Sequence, residues 1–308
     1  MDNLIVYMSV ASVSSAIPLT LAGLGGVISE RAGVMNLSLE GNMLMGAFFG
    51  MYISYISGSP WLGALGGMLA GVLLAAIMAV MCVTLKANQI VVATGINIIA
   101  VGITGYCLKM FNIFVAQGTV ASAPAFKNIH IPFLSDIPYI GEALFSYKPL
   151  VYITLLLIVV VHFYLYKTKL GLVHRSIGEN PIVADTLGIN ISKVRYGAVL
   201  LCGALCGLAG SYMSISNLNT FQDQMVSGRG FIAFAAVIFG KWNPIGVFGA
   251  AMIFGFADAL QMRMQSMQTG ISYHILQTIP YLMTMIALAT IIGKSESPAA
   301  NGTPYNKE

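Results

Sequence analysis

Residues 4–28 carry no charged side chain, and comparable apolar runs recur almost to the end of the chain. A bilayer span needs roughly 20 mostly apolar residues, because backbone amides in hydrocarbon must be satisfied within a helix or a closed barrel. Nine stretches meet or approach this requirement: 4–28, 34–57, 61–85, 89–110, 149–166, 196–217, 227–240, 244–262 and 273–292. The seventh is short for a crossing and reads as broken or re-entrant. Charged residues are 8% of the chain and mean hydropathy is +0.82, whereas a soluble domain is about one-quarter charged. The bilayer is therefore the expected solvent. The fold class is an all-α integral membrane protein, a polytopic bundle of about eight to ten transmembrane helices.

The rest of the composition agrees. Thirty-three glycines and 18 methionines suit close helix packing, where small residues let backbones approach and Met fills gaps. A net charge of +4, spread without a basic stripe, argues against nucleic acid as a partner. Cys82, Cys107, Cys202 and Cys206 lie in or beside apolar runs with no metal-ligand spacing, and read as packing residues. No basic residue precedes Arg31, so the first run lacks the charged start of a signal peptide and is expected to remain as a span. Residues 1–293 form the transmembrane domain, and 294–308 a polar cytoplasmic tail expected to be disordered.

Orientation follows from the basic residues. Alternating crossings place Arg31, Lys86, Lys167, Lys169, Arg175, Lys193, Arg195, Lys241, Lys294 and Lys307 on one side, ten of the fifteen Lys and Arg. Making that side cytoplasmic puts the N-terminus outside and the C-terminus inside. The longest external connection, 111–148, holds three prolines and several aromatics, suited to the headgroup level or to an external partner.

One compact polar segment, SIGENPIVADTLGIN (176–190), interrupts the apolar pattern within a connection spanning 167–195. It is punctuated as a short helix. Asn180 is a good N-cap, Pro181 suits the first helical position, and Gly188 suits the left-handed residue that ends a helix. Ile182, Ala184 and Leu187 are expected to face one way, with Asp185 polar.

The segment GENPIVADTLGINISKVRYGAVLLCGALCGLAG (178–210) resembles the coupling-loop region of the permease subunits of ABC importers. ERAGVMNLSLEGNMLMGAFFG (30–50) and GRGFIAFAAVIFGKWNPIGVFGAAMIFGFADALQMRMQ (228–265) resemble the nucleoside and simple-sugar branch of that superfamily, most closely its bacterial nucleoside permeases. The likeness covers most of 20–265. It implies a plasma-membrane importer in which a cytoplasmic ATPase engages a coupling helix through Glu179, Asn180, Pro181, Ala184, Asp185 and Gly188. It also implies an external substrate-binding lipoprotein and a second, related permease completing a heterodimeric pore in membrane lipid. No cofactor is expected in this chain, since ATP and Mg belong to the partner ATPase. LATIIGKS (288–295) ends like a phosphate-binding loop, but Leu288 occupies the position of the first required glycine.

Ionisable groups inside a membrane are costly and usually face a cavity or a partner. Asn36, Glu40 and Met43 are expected on one face of the second span, Thr94 and Asn97 on the fourth, Asp258 and Gln261 on the eighth, and Gln277 on the ninth. Amide and acid groups suit the base edges and ribose hydroxyls of a nucleoside. The same residues serve equally as polar glue between helices. Sugar and branched-chain amino acid permeases are the nearest rival readings. An ion-coupled secondary transporter, with Glu40 and Asp258 carrying the ion, is a rival of another class, but it leaves the capped segment unexplained. A membrane-embedded enzyme finds no nucleophile–base or zinc-ligand pattern.

Overall fold

The computed structural model describes residues 2–115, 124–129, 146–267 and 296–305, together with 278, 282 and 285. Among them are ten α-helices: α1 (Asp2–Arg31), α2 (Leu39–Ser57), α3 (Pro60–Ala79), α4 (Gln89–Val115), α5 (Pro149–Lys167), α6 (Lys169–Glu179), α7 (Pro181–Thr186), α8 (Ile191–Ser211), α9 (Arg229–Phe239) and α10 (Pro244–Ser266). π-helical turns extend α3 over Val80–Thr84 and α8 over Tyr212–Leu218. Six helical stretches among the described residues are long and apolar enough to cross a membrane: α1, extended α3, α4, α5, extended α8 and α10. The chain is a multi-pass all-α membrane protein. Gln277 and all of the ninth apolar stretch but 278, 282 and 285 lie outside the described residues, as does most of the 111–148 connection.

Glycine sets how closely the central helices meet. At Gly46, Gly67, Gly71, Gly203, Gly207 and Gly210 an added Cβ would collide with the backbone or side chains of a facing helix. Backbones of α2, α3 and α8 therefore pack in direct contact, the arrangement small residues permit where no hydrophobic force drives association. Leu21, Leu24, Met43, Met51, Cys202, Cys206 and Tyr212 fill the resulting core.

Helix α9 is shorter than a crossing. The 11 residues of α9 reach about 16 Å at 1.5 Å per residue, against a hydrocarbon core of about 30 Å. This agrees with the broken span expected at 227–240. The second segment begins at Leu39 rather than residue 34, because 32–38 form a buried non-helical link. That link satisfies its own polar groups. Ser29 Oγ donates to the Val34 carbonyl at 2.8 Å, Met35 N donates to Gln89 Oε1 at 2.7 Å, and Ser38 N donates to Asn36 Oδ1 at 3.0 Å.

The tail departs from expectation. Residues 296–305 are folded into turns against the end of the bundle, with Pro298 and Ala300 buried. Their polar composition suggested disorder, but their backbone and side-chain donors meet acceptors that helix ends leave open.

Candidate functional site

Two regions carry the candidate residues. The first is α7, at the end of the bundle where α1 terminates. Asn180 is extended (φ −148°) and its side chain accepts from Val183 N at 3.2 Å. Pro181 opens the helix, and Gly188 closes it at φ 78°. Each cap stands where the residue types put it. The apolar face is different. Ala184 is 1% exposed and packs with Ile177 and Ile191, while Ile182 and Leu187 are 63% and 74% exposed. At about 100° per residue, positions 182 and 184 point to opposite sides of so short a helix. The expected common face of Ile182, Ala184 and Leu187 is therefore corrected: α7 buries Ala184 and presents Ile182, Val183 and Leu187 outward.

Polar ties fix α6 and α7 to the bundle. Glu179 lies 3.8 Å from Arg31. Arg31 Nε donates to the Trp242 carbonyl at 3.1 Å, and Trp242 Nε1 donates to Glu30 Oε2 at 2.6 Å. Lys241 and Trp242 both take positive φ, 53° and 52°, so the GKWNP turn holds a conformation that L residues rarely adopt. His174 of α6 is buried, with Nε2 2.7 Å from the Ile28 carbonyl and Nδ1 3.4 Å from the Tyr164 hydroxyl. A carbonyl only accepts, so Nε2 carries the proton and Nδ1 receives the phenol's. Burial pushes the imidazole below its ordinary value, partly offset by the Ile28 hydrogen bond.

The second region surrounds the start of α9. Glu40 Oε1 accepts from Gly228 N at 2.8 Å and Oε2 from Gly230 N at 2.7 Å. A carboxylate at a helix N-terminus satisfies open donors and opposes the helix dipole. Gly230 permits this approach, since a Cβ there would strike the Glu40 backbone. Arg229 Nη2 meets Asp258 Oδ2 of α10 at 3.3 Å, both side chains being partly exposed. Ahead of α9, Asn219, Gln224 and Ser227 adopt positive φ, a concentration of strain of the kind found at functional sites.

The remaining candidates divide. Asn97 Oδ1 accepts from Gly41 N at 2.9 Å and Nδ2 donates to the Leu37 carbonyl at 3.0 Å, binding α4 to the start of α2. Thr94 is exposed and donates to Ile90 O. Gln261 is half-buried on α10. Asn36 precedes α2 and does not share its face; it is fully buried, with Nδ2 3.3 Å from Cys202 Sγ. Met43 is likewise fully buried. The expected common face of Asn36, Glu40 and Met43 is thus corrected, because helical spacing does not extend through the 32–38 link. Asn36 and Met43 are enclosed by protein.

An aromatic groove of about 500 Å³ between α2 and α4 was not anticipated. Phe48, Tyr52, Tyr55, Tyr106 and Phe111 line it, with Phe48 and Tyr52 near-parallel at 6.0 Å and Phe221 edge-on to Phe48 at 5.2 Å. The i, i+4, i+7 spacing of 48, 52 and 55 is the sequence signal that would have found it.

The family described as branched-chain amino acid transport system / permease component matches residues 8–293. A protein of Bacillus subtilis named guanosine ABC transporter permease protein NupQ is 40% identical, over 96% of this chain and 95% of its own length. A putative glucose ABC transporter permease of Haloferax volcanii is 36% identical over 97% of each chain. A nucleoside ABC transporter permease of Lactococcus lactis is 38% identical over 94% of this chain and 93% of its own. No solved structure gives a significant match.

Proposed function

Since the chain belongs to the branched-chain amino acid transport system / permease component family, it is a membrane-spanning permease subunit of an ABC transporter and not an enzyme, and we propose that its cargo is a nucleoside taken up by the cell. The near-full-length likeness to permeases named for guanosine and for nucleosides carries this reading. The chemistry of the groove supports it, because tyrosine and phenylalanine faces stack with a planar base while phenol hydroxyls bond its edges. The pathway follows α9. Interrupted helices at membrane depth are tolerated where they are buried or line a cavity, and Glu40, Arg229 and Asp258 stabilise that interruption. Asn97, bonded to Gly41 beside Glu40, and Gln261, one turn beyond Asp258 on α10, complete the proposed polar lining together with Thr94 of α4.

The partners follow from the same reading. A cytoplasmic ATPase binding ATP and Mg engages α7 through Ile182, Val183 and Leu187, on a mount formed by Glu179, Asn180, Pro181, Ala184, Asp185 and Gly188. An external binding lipoprotein delivers the nucleoside. A second, related permease covers the apolar side chains that α4 leaves exposed, among them Ile98, Ile99 and Tyr106. The basic ends gathered around α7 favour an outside N-terminus and an inside C-terminus.

Uptake of radiolabelled guanosine by vesicles holding the assembled transporter tests this. Uptake should require ATP on the α7 side, survive collapse of proton and sodium gradients, and yield to excess unlabelled nucleoside but not to glucose. Displacement by glucose alone would establish the sugar reading instead.

A further inference from the structure

The tail touches every element that mounts α7. Ala300 N donates to the Gly178 carbonyl at 2.9 Å, and Ala299 N to Glu179 Oε2 at 3.3 Å, both at the end of α6. Asn301 Nδ2 donates to Glu30 Oε2 of α1 at 3.0 Å, and Arg195 of α8 donates through Nη1 to the Thr303 carbonyl at 3.2 Å. Tyr305 OH donates to Asp185 Oδ2 on α7 itself at 2.9 Å. The Tyr305 ring packs against the small cluster of Ile177, Ala184 and Ile191 beneath α7. Gly302, at φ 79°, turns the chain between these contacts. The fit is close: a Cβ on Gly33 would lie 2.8 Å from Arg195 Nη2 and 3.2 Å from the Ala300 carbonyl.

The mount of α7 is slender without it. The helix has six residues and buries only Ala184, so its own packing resists rotation poorly. A load applied at Ile182, Val183 and Leu187 would turn so small a lever before it moved α1 or α8. The tail opposes that rotation from the other side, because it joins Asp185 to Glu30 and Arg195 on two long helices of the bundle.

We propose that residues 298–305 form a positioning strap for the coupling helix. The strap holds α7 at a fixed angle to α1 and α8, so movement imposed by the ATPase passes to the bundle and through Glu30 and Trp242 to the turn between α9 and α10. This rests on the assignment of α7 as the ATPase-engaging helix. It assigns Asn301 and Tyr305 as positioning residues that touch neither cargo nor nucleotide.

The test uses the complete transporter in proteoliposomes and reads guanosine delivered per ATP hydrolysed, together with membrane abundance and ATPase retention. Tyr305→Phe should lower that ratio about tenfold, as expected for one lost hydrogen bond to a carboxylate. Asn301→Ala should act similarly, and deletion of 296–308 more severely, all with the ATPase still bound and hydrolysing ATP. Glu296→Ala and Ser297→Ala, at exposed tail positions, should change nothing. An unchanged ratio in Tyr305→Phe and Asn301→Ala overturns the strap; these two decide the matter if the deletion fails to accumulate. Release of the ATPase by either substitution also overturns it, since the tail would then be a docking surface. Ala184→Arg separates the two levels. If it leaves the ratio intact, the assignment of α7 fails; if it abolishes coupling while the tail variants are neutral, the strap alone fails.

Discussion

Glu40 and Glu30 each join distant parts of the chain, but by different chemistry. Glu40 uses both oxygens, on the amides of Gly228 and Gly230. Glu30 uses one oxygen, shared by the Trp242 indole and the Asn301 amide, while Oε1 finds no hydrogen-bond partner among the described residues. Backbone amides at a helix start are fixed by the fold, so the Glu40 joint is rigid and independent of which side chains surround it. The partners of Glu30 are side chains, one on a strained turn and one on the tail. The difference separates a permanent joint near the interrupted helix from a replaceable one at the coupling end.

The largest effect should come from Glu40→Ala. It strands two amides at the start of α9, at about 1–3 kcal/mol each, and adds loss of the charge facing the helix dipole. Thermal unfolding in detergent should fall sharply, with lowered membrane abundance. Stability equal to wild type would erase the distinction between the two carboxylates.

Glu30→Gln should cost less, about 1–2 kcal/mol, because the amide oxygen still accepts from one partner and no backbone donor is stranded. Its signature should be local: faster hydrogen exchange in 240–243 and 299–303, with α9 unaffected. Exchange rising instead along α9 would mean that the two joints are one network.

The smallest effect concerns acid. His174 secures α6 as a neutral imidazole, and its folded value is depressed by burial. The unfolded chain therefore binds the proton more readily, so stability from this site is full above about pH 6.5, the unfolded imidazole value. It is lost as pH falls below that value toward the depressed folded one. Hydrogen exchange over 169–179 should quicken as pH is lowered from 7.5 to about 5.5, after correction for intrinsic rates. His174→Gln should show a shallower dependence; an equal one would remove His174 from the joint.

Local chemistry was readable in the sequence, and long-range chemistry was not. Asn180, Pro181 and Gly188 were each assigned because caps depend on neighbours a few residues away. The exposed side of α7 was misread because six residues are too few to establish a helical period. Glu40 was singled out as an acid within a span, yet its partners lie 188 and 190 residues along the chain, beyond the reach of spacing arguments. Asn36 and Met43 were grouped by a periodicity that the 32–38 link interrupts. The tail looked disordered because composition registers missing apolar residues but not acceptors waiting at helix ends.

The π-helical turn Tyr212–Leu218 has a geometric consequence of its own. Each wide turn takes up about one residue more than an α-helical turn, and one residue is worth about 100° of rotation. Side chains beyond the turn are thereby re-aimed relative to those of α8 before it. Phe221, which follows, reaches Phe48 of α2. Deleting a single residue within 212–218 could leave a continuous helix and an unchanged hydropathy profile while pointing the segment ahead of α9 at a different neighbour. Length here behaves as an angular setting, one that composition does not register.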